Sequence, residues 1–419
     1  MDTVTRRKFL IASGVVAGGA LTAGATAYTL WDILATAADP RREPGARTLV
    51  VVTLYGGNDG LATVIPYADP AYHDARPGLS YSAEQVLRID ESTGLNPSLK
   101  GLRQLYANDR LAIVRGVGYP QPDRSHFRSM DIWHTGSPER PGNTGWLGRW
   151  LDTAGGDPRL AVSFEPVLPP LLAGETSAGA AVAVSGFKVP RGVPQKALEA
   201  LGKPSPGEPS LQARASACFA ELGKVDEMIT DVKEAAAADD ADSDDDTPAA
   251  TATGGGRTPL AAQLELVAQC VEAGVSTRVF SVSLGGFDFH ADEKVAQERL
   301  LAVLDSAVSA FVNRMGLSER GQKVVVLVYS EFGRRVRANA SDGTDHGTAS
   351  NVLVAGPHVA GGRLIGEQPS LTDLDRGDLK STIDFRDIYA SLLSDALGAD
   401  PGRILGGWTG RMSDLLGKP

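Results

Sequence analysis

The side chains able to bind metal ions or move protons are far apart in this chain, yet they recur at one kind of place, the end of an apolar run. Asp59 follows Leu49-Val50-Val51-Val52-Thr53-Leu54 in the turn Tyr55-Gly56-Gly57-Asn58-Asp59-Gly60. Ser125 and His126 follow Leu111-Ala112-Ile113-Val114 and open a stretch with helical spacing. Asp288 and His290 follow Val279-Phe280-Ser281-Val282-Ser283-Leu284, two residues apart, so in an extended segment both point the same way. Glu331 closes Val324-Val325-Val326-Leu327-Val328, and the next loop carries Asp345-His346. Taken singly, each is ordinary; an Asp between glycines suits a turn for conformational reasons alone. Together they are the mixed carboxylate and imidazole donors that bind zinc, manganese, iron or calcium. There are enough of them for one or two divalent ions, and a pair of ions suits in-line displacement at a phosphoryl or sulfuryl centre. Ser125, at the first turn of its helix, is placed where a nucleophile meets an anionic ester, with His126 beside it.

What must position these groups is a sheet. The short unbroken apolar runs have the pattern of strands buried on both faces. Helical patterns separate them: residues 260–273, residues 293–315, and a capped segment from Ser381 to about Leu397. Alternating strands and helices predict an α/β fold with a mostly parallel central sheet flanked by helices, joined by right-handed crossovers. Such a sheet brings the carboxyl ends of its strands to one edge, the usual place for a ligand. Asp59, His126, Asp288, His290, Glu331, Asp345 and His346 would then converge.

The chain of 419 residues holds 41 basic and 51 acidic side chains, a formal charge of -10. That balance argues against nucleic acid as a partner. The N-terminus has the form of an export signal, residues 1–37. Thr5-Arg6-Arg7-Lys8-Phe9-Leu10 is a twin-arginine motif, an Ala/Gly-rich apolar segment follows, and Ala35-Thr36-Ala37 and Ala25-Thr26-Ala27 offer small-x-small cuts. The expected partner in export is the twin-arginine translocase, and the expected location is periplasm, cell envelope or extracellular space. A membrane enters only if the segment is retained as an anchor. Residues 38–419 form the expected α/β domain, with a helical insertion at about 188–275 that contains a disordered acidic linker, 235–257. Cys218 and Cys270 fit equally a disulfide or two buried thiols. No GxGxxG follows the first strand, which weakens a dinucleotide-binding reading.

GGNDGL after the first strand, RSHF before a helix, FDFH, YSEFGR with a later DH, and the twin-arginine start resemble a bacterial exported family of unknown function, DUF1501. That family in turn resembles the alkaline phosphatase and sulfatase superfamily. The resemblance covers nearly the whole mature chain and implies a metal-dependent hydrolase of phosphate or sulfate esters, its substrate an anionic small molecule or polymer. Carried over, Asp59 resembles the first-strand metal ligand and Ser125 the nucleophile. Asp288 with His290 resembles the donors of one metal, and Asp345 with His346 those of another, with Glu331 or His126 completing a site. Arg124, Arg334 or Arg335 could clamp the anionic group. The rival expectation is an inactive envelope protein that binds metal or an anionic ligand on the same fold.

Overall fold

The computed structural model describes residues 28, 30–38, 46–140, 142–165, 167–182 and 259–417. The twin-arginine motif, Cys218, the acidic linker and most of the expected insertion lie outside them.

The apolar runs are strands. β1 (Thr48–Leu54), β2 (Leu111–Gly118), β3 (Ala161–Ser163), β4 (Ala180–Ala181), β5 (Val279–Leu284), β6 (Val324–Ser330), β7 (Ser350–Ala355), β8 (Arg363–Ile365) and β9 (Ile383–Asp384) form one sheet. Their order is β8-β2-β7-β6-β1-β5-β3-β4, with β9 also paired to β2. β1 lies at the centre, parallel to β5 on one side and β6 on the other. The remaining pairs are parallel except those of β7, which runs antiparallel to both β2 and β6. The exception has a local cause. After β6 the chain makes a hairpin, Arg334–Ala338 against Thr344–His346, and re-enters the sheet at the same edge. Without a crossover helix, the re-entering strand must run backwards.

Alternation along β1 divides the core. Val50, Val52 and Leu54 face one side and pack with α2 (Lys100–Ala107), α5 (Leu260–Ala273) and α6 (Glu293–Leu317). Leu49 and Val51 face the other and pack with α3 (His126–Thr135), α4 (Trp146–Thr153) and α7 (Phe385–Asp395). By length and composition alone α6 is long and apolar enough to cross a membrane, and half of that stretch is buried against the rest of the fold. On α3, Met130, Trp133 and His134 are buried, whereas Phe127 is exposed. Cys270 lies buried in α5, where burial pushes its thiol up to about 12.

The described part of the expected leader belongs to this core. α1 (Leu30–Leu34) buries Leu30 and Ile33 in the cluster that holds α5. Just beyond it, the Ser276 N–H donates to Thr36 Oγ at 3.0 Å. A cut after Ala37 would remove both apolar side chains, each worth about 1.5–3 kcal/mol of burial. A chain starting at Ala38 is therefore expected to be about 3–6 kcal/mol less stable in urea unfolding than one starting at Tyr28.

Candidate metal centre

The ends of β1, β5 and β6 meet at one edge, and small residues let them approach. Gly56 has φ +114°, and a Cβ there would lie 2.7 Å from the Asp288 nitrogen. Gly57 has φ +72°, and its Cβ would strike the Phe332 ring. Only glycine fits both the conformation and the space.

Glu331 follows β6 and turns inward, fully buried. It accepts the Gly56 N–H at 2.9 Å, the Ser330 hydroxyl at 2.8 Å and His126 Nδ1–H at 2.8 Å. The carboxylate thereby fixes the His126 ring with Nε2 facing away. That nitrogen is buried, has no hydrogen-bond partner, and lies 3.3 Å from Asp288 Oδ2. Burial alone would lower the His126 pKa; the close carboxylates of Asp288 and Glu331 outweigh it and raise it to about 9.

His346 is fixed in the same manner. Its Nδ1–H donates to the Arg124 carbonyl at 2.9 Å, which turns Nε2 toward Asp288. Nε2 of His346 stands 3.0 Å from Asp288 Oδ1 and 3.0 Å from His290 Nε2. His290 Nε2 is likewise 3.0 Å from Asp288 Oδ1, and its Nδ1 faces Asp345 at 3.6 Å. The buried Phe332 ring packs on His126 and His346, each with centroids 4.9 Å apart.

Arg334 holds the assembly from below. It donates to the carbonyls of Gly56, Gly57, Phe287 and Thr344 and to Asp288 Oδ1, and so ties the turns after β1 and β5 to the hairpin. Asp288 is therefore held well below the usual carboxylate range. Its burial opposes this, but the close His126 and His346 rings and the Arg334 guanidinium prevail.

These residues fit a divalent cation. Donor atoms of His126, Asp288 and His346 lie within 4.8 Å of one another. Asp288 Oδ1, His290 Nε2 and His346 Nε2 form a triangle with 3.0 Å edges. Ligands about 2.0–2.2 Å from one ion have edges of that size. Each imidazole presents Nε2 inward and has an acceptor behind Nδ1, the arrangement that sets the tautomer and ring orientation of metal-binding histidines. On this geometry Glu331→Gln, which leaves the ligands in place, is expected to weaken zinc binding about 10–100-fold by calorimetry.

The expected residues therefore take different places. His126, Asp288, His290 and His346 come together. Glu331 stands behind the His126 ring and is hydrogen-bonded to its Nδ1, and Asp345 stands 3.6 Å behind His290 Nδ1. Asp59 caps the short helix Gly60–Thr63 through the Leu61 N–H and is gripped by both terminal nitrogens of Arg76. Burial would raise the Asp59 pKa, but Arg76 holds it low; Glu293, buried beside Asp59, is pushed up to about 8. Arg334, expected as an anion clamp, spends its donors on carbonyls and Asp288. Ser125 occupies the residue just before α3, as expected, and is exposed, its hydroxyl making no hydrogen bond to the helix. Arg76 gave no signal in the sequence, since it follows a short helix and lies outside every apolar run.

Among solved structures, a protein in the alkaline phosphatase superfamily from Vibrio parahaemolyticus is similar at 9% identity over 91% of this chain and 77% of that one, with a TM-score of 0.39. A phosphonate monoester hydrolase from Silicibacter pomeroyi is similar at 10% identity over 87% and 77%, with a TM-score of 0.35. No curated protein matches the chain. Residues 188–419 match the family profile described as "Protein of unknown function (DUF1501)", and the chain belongs to that family.

Proposed function

We propose that this protein is an exported, metal-dependent hydrolase of phosphate or sulfate esters. The observation that carries the reading is the convergence of three imidazole Nε2 atoms on Asp288, with Glu331, the Arg124 carbonyl and Asp345 behind the opposite nitrogens. His126, Asp288, His290 and His346 would hold the metal. When bound there, a divalent ion supplies Lewis-acid polarisation of an ester oxygen.

The protein's own groups do the rest. Ser125 Oγ, solvent-accessible at the first turn of α3, is aimed at the phosphorus or sulfur of the bound ester, and the helix N–H groups around it favour the anion. Oγ would form a bond to phosphorus or sulfur as the ester P–O or S–O bond breaks, the hydroxyl proton leaving with the alcohol by way of solvent. Water would then break the Oγ bond, its oxygen going to the released acid and a proton returning to Oγ. Glu331 and Phe332 keep the His126 ring in place next to the nucleophile.

One observation favours a second reading, a metal-binding envelope protein without turnover: among the described residues, no side chain is hydrogen-bonded to Ser125 Oγ, so no base is in place to activate it. The test is hydrolysis of 4-nitrophenyl phosphate and 4-methylumbelliferyl sulfate by protein supplied in turn with zinc, manganese, iron and calcium. The hydrolase reading expects turnover with at least one metal and its loss on chelation. Metal uptake without turnover of either ester selects the second reading.

A further inference from the structure

A cleft of about 440 Å³ opens beside the metal centre. It shares Arg124 with that centre: the Arg124 carbonyl holds His346, while its side chain lines the cleft. Opposite are Arg335, which follows the buried Arg334, and the loop that carries Arg376, Asp378 and Lys380.

The charges in the cleft are unusual for this chain. Four basic and two acidic side chains line it, in a protein whose formal charge is -10. Asp378 is buried beneath them. It pairs with Arg124 and stands 3.5 Å from Arg335 Nε, and its Oδ1 accepts no hydrogen bond. One carboxylate under two guanidiniums spaces the forks, and Arg335 Nη2 also donates to the Arg376 carbonyl at 3.4 Å; a guanidinium has five N–H donors, more than these contacts use. Arg376 and Lys380 stand at the exposed rim, each beside an exposed aspartate, Asp375 at 3.4 Å from Arg376 and Asp373 paired with Lys380, where an incoming anion competes with a solvated carboxylate. Pro120, Pro122 and Leu379 provide apolar wall between these groups. A volume of this order suits a small organic molecule. Fixed guanidinium forks suit carboxylate, sulfate or phosphate oxygens.

We propose that this cleft binds a second anionic group of the substrate, so that the substrate class is a compact organic ester with a further carboxylate, sulfate or phosphate on its skeleton. The proposal rests on the hydrolase reading for the word substrate; the cleft's preference for an anion stands without it. Three features work together: the Asp378-anchored pair Arg124 and Arg335 fixes one anion position, the rim cations draw the charge in, and the shared Arg124 places the position next to the metal centre.

The probe is 8-hydroxypyrene-1,3,6-trisulfonate, whose sulfonates offer anionic oxygens and are weak metal ligands. Its binding to metal-free full-length protein is followed by fluorescence anisotropy. Arg335→Gln/Lys380→Gln, with an unchanged circular dichroism spectrum, is expected to raise the Kd about tenfold or more. His126→Ala, which removes a metal ligand but no cleft residue, is expected to leave the Kd within about twofold. With an active, metal-loaded enzyme, the probe is expected to inhibit aryl phosphate turnover in the wild type and less so in the double variant. Absence of probe binding, or equal affinity in the double variant, overturns the anion site. Tight binding that leaves turnover unaltered overturns its place in substrate recognition, while failure of the hydrolase reading leaves the anisotropy result intact.

Discussion

Arg76→Met is expected to lower the free energy of unfolding by about 3–5 kcal/mol, because it leaves a buried carboxylate without its cation. Arg76 is fully buried, with Nε on the Val336 carbonyl, one Nη2 bond to the Arg335 carbonyl, and both terminal nitrogens on Asp59. Asp59 also has Glu293 as a neighbour, and that carboxyl is pushed up first by burial and then by the Asp59 charge. A neutral Glu293 between Thr344, whose hydroxyl donates to it at 2.6 Å, and Asp59 leaves one cation and one anion in the buried group. Removing the cation breaks that balance. Asp59→Asn/Arg76→Met removes both charges and is expected to recover most of the loss. Urea unfolding followed by circular dichroism measures each effect. A single variant as stable as the wild type would show that Arg76 is not the partner of Asp59. The double variant also separates the two roles considered for Asp59: with Asp59 structural, metal content is expected to stay at the wild-type level.

The second large effect is on turnover. Under the proposed hydrolase reading, Ser125→Ala is expected to reduce aryl ester hydrolysis about 10³-fold or more while leaving the metal in place, because the hydroxyl would attack the substrate and, among the described residues, hydrogen-bonds to no candidate metal ligand. Ser125 is exposed, and its hydroxyl does not cap its own helix, so the substitution should barely alter stability. Steady-state rates with 4-nitrophenyl phosphate, measured together with bound metal, decide the matter. Full metal content with unchanged rate would assign the attack to water and remove Ser125 from the mechanism.

The strands were legible because burial on both faces turns a strand into an unbroken apolar run, as in Leu49 to Leu54 and Val324 to Val328. The direction of β7 was not legible. Val352 to Ala355 is as apolar as any parallel strand, and the return hairpin before it is made of polar residues with no helix to mark a crossover. At the site, the Asp288–His290 pair followed from two-residue alternation, and both side chains do meet, at 3.0 Å. Which carboxylates face the centre and which stand behind an imidazole depends on how the chain turns after each strand. Glu331 and Asp345 are acidic like Asp288, and nothing in residue type distinguishes a ligand from a group that orients one. Asp59 shows the same limit: its partner lies 17 positions away beyond a short helix, and only the fold brings them together. The Asp378-anchored cleft depends on Arg124, Arg335 and Asp378 meeting across more than one loop, which no local spacing reveals.

Elemental analysis of the full chain, purified without added metal or chelator, tests the central claim most directly. The account predicts about one equivalent of a divalent metal in the wild type and little in His126→Ala or Asp288→Ala when each remains folded. Wild-type protein that stays metal-free even after incubation with zinc, manganese, iron and calcium, or variants that keep the wild-type amount, would contradict it.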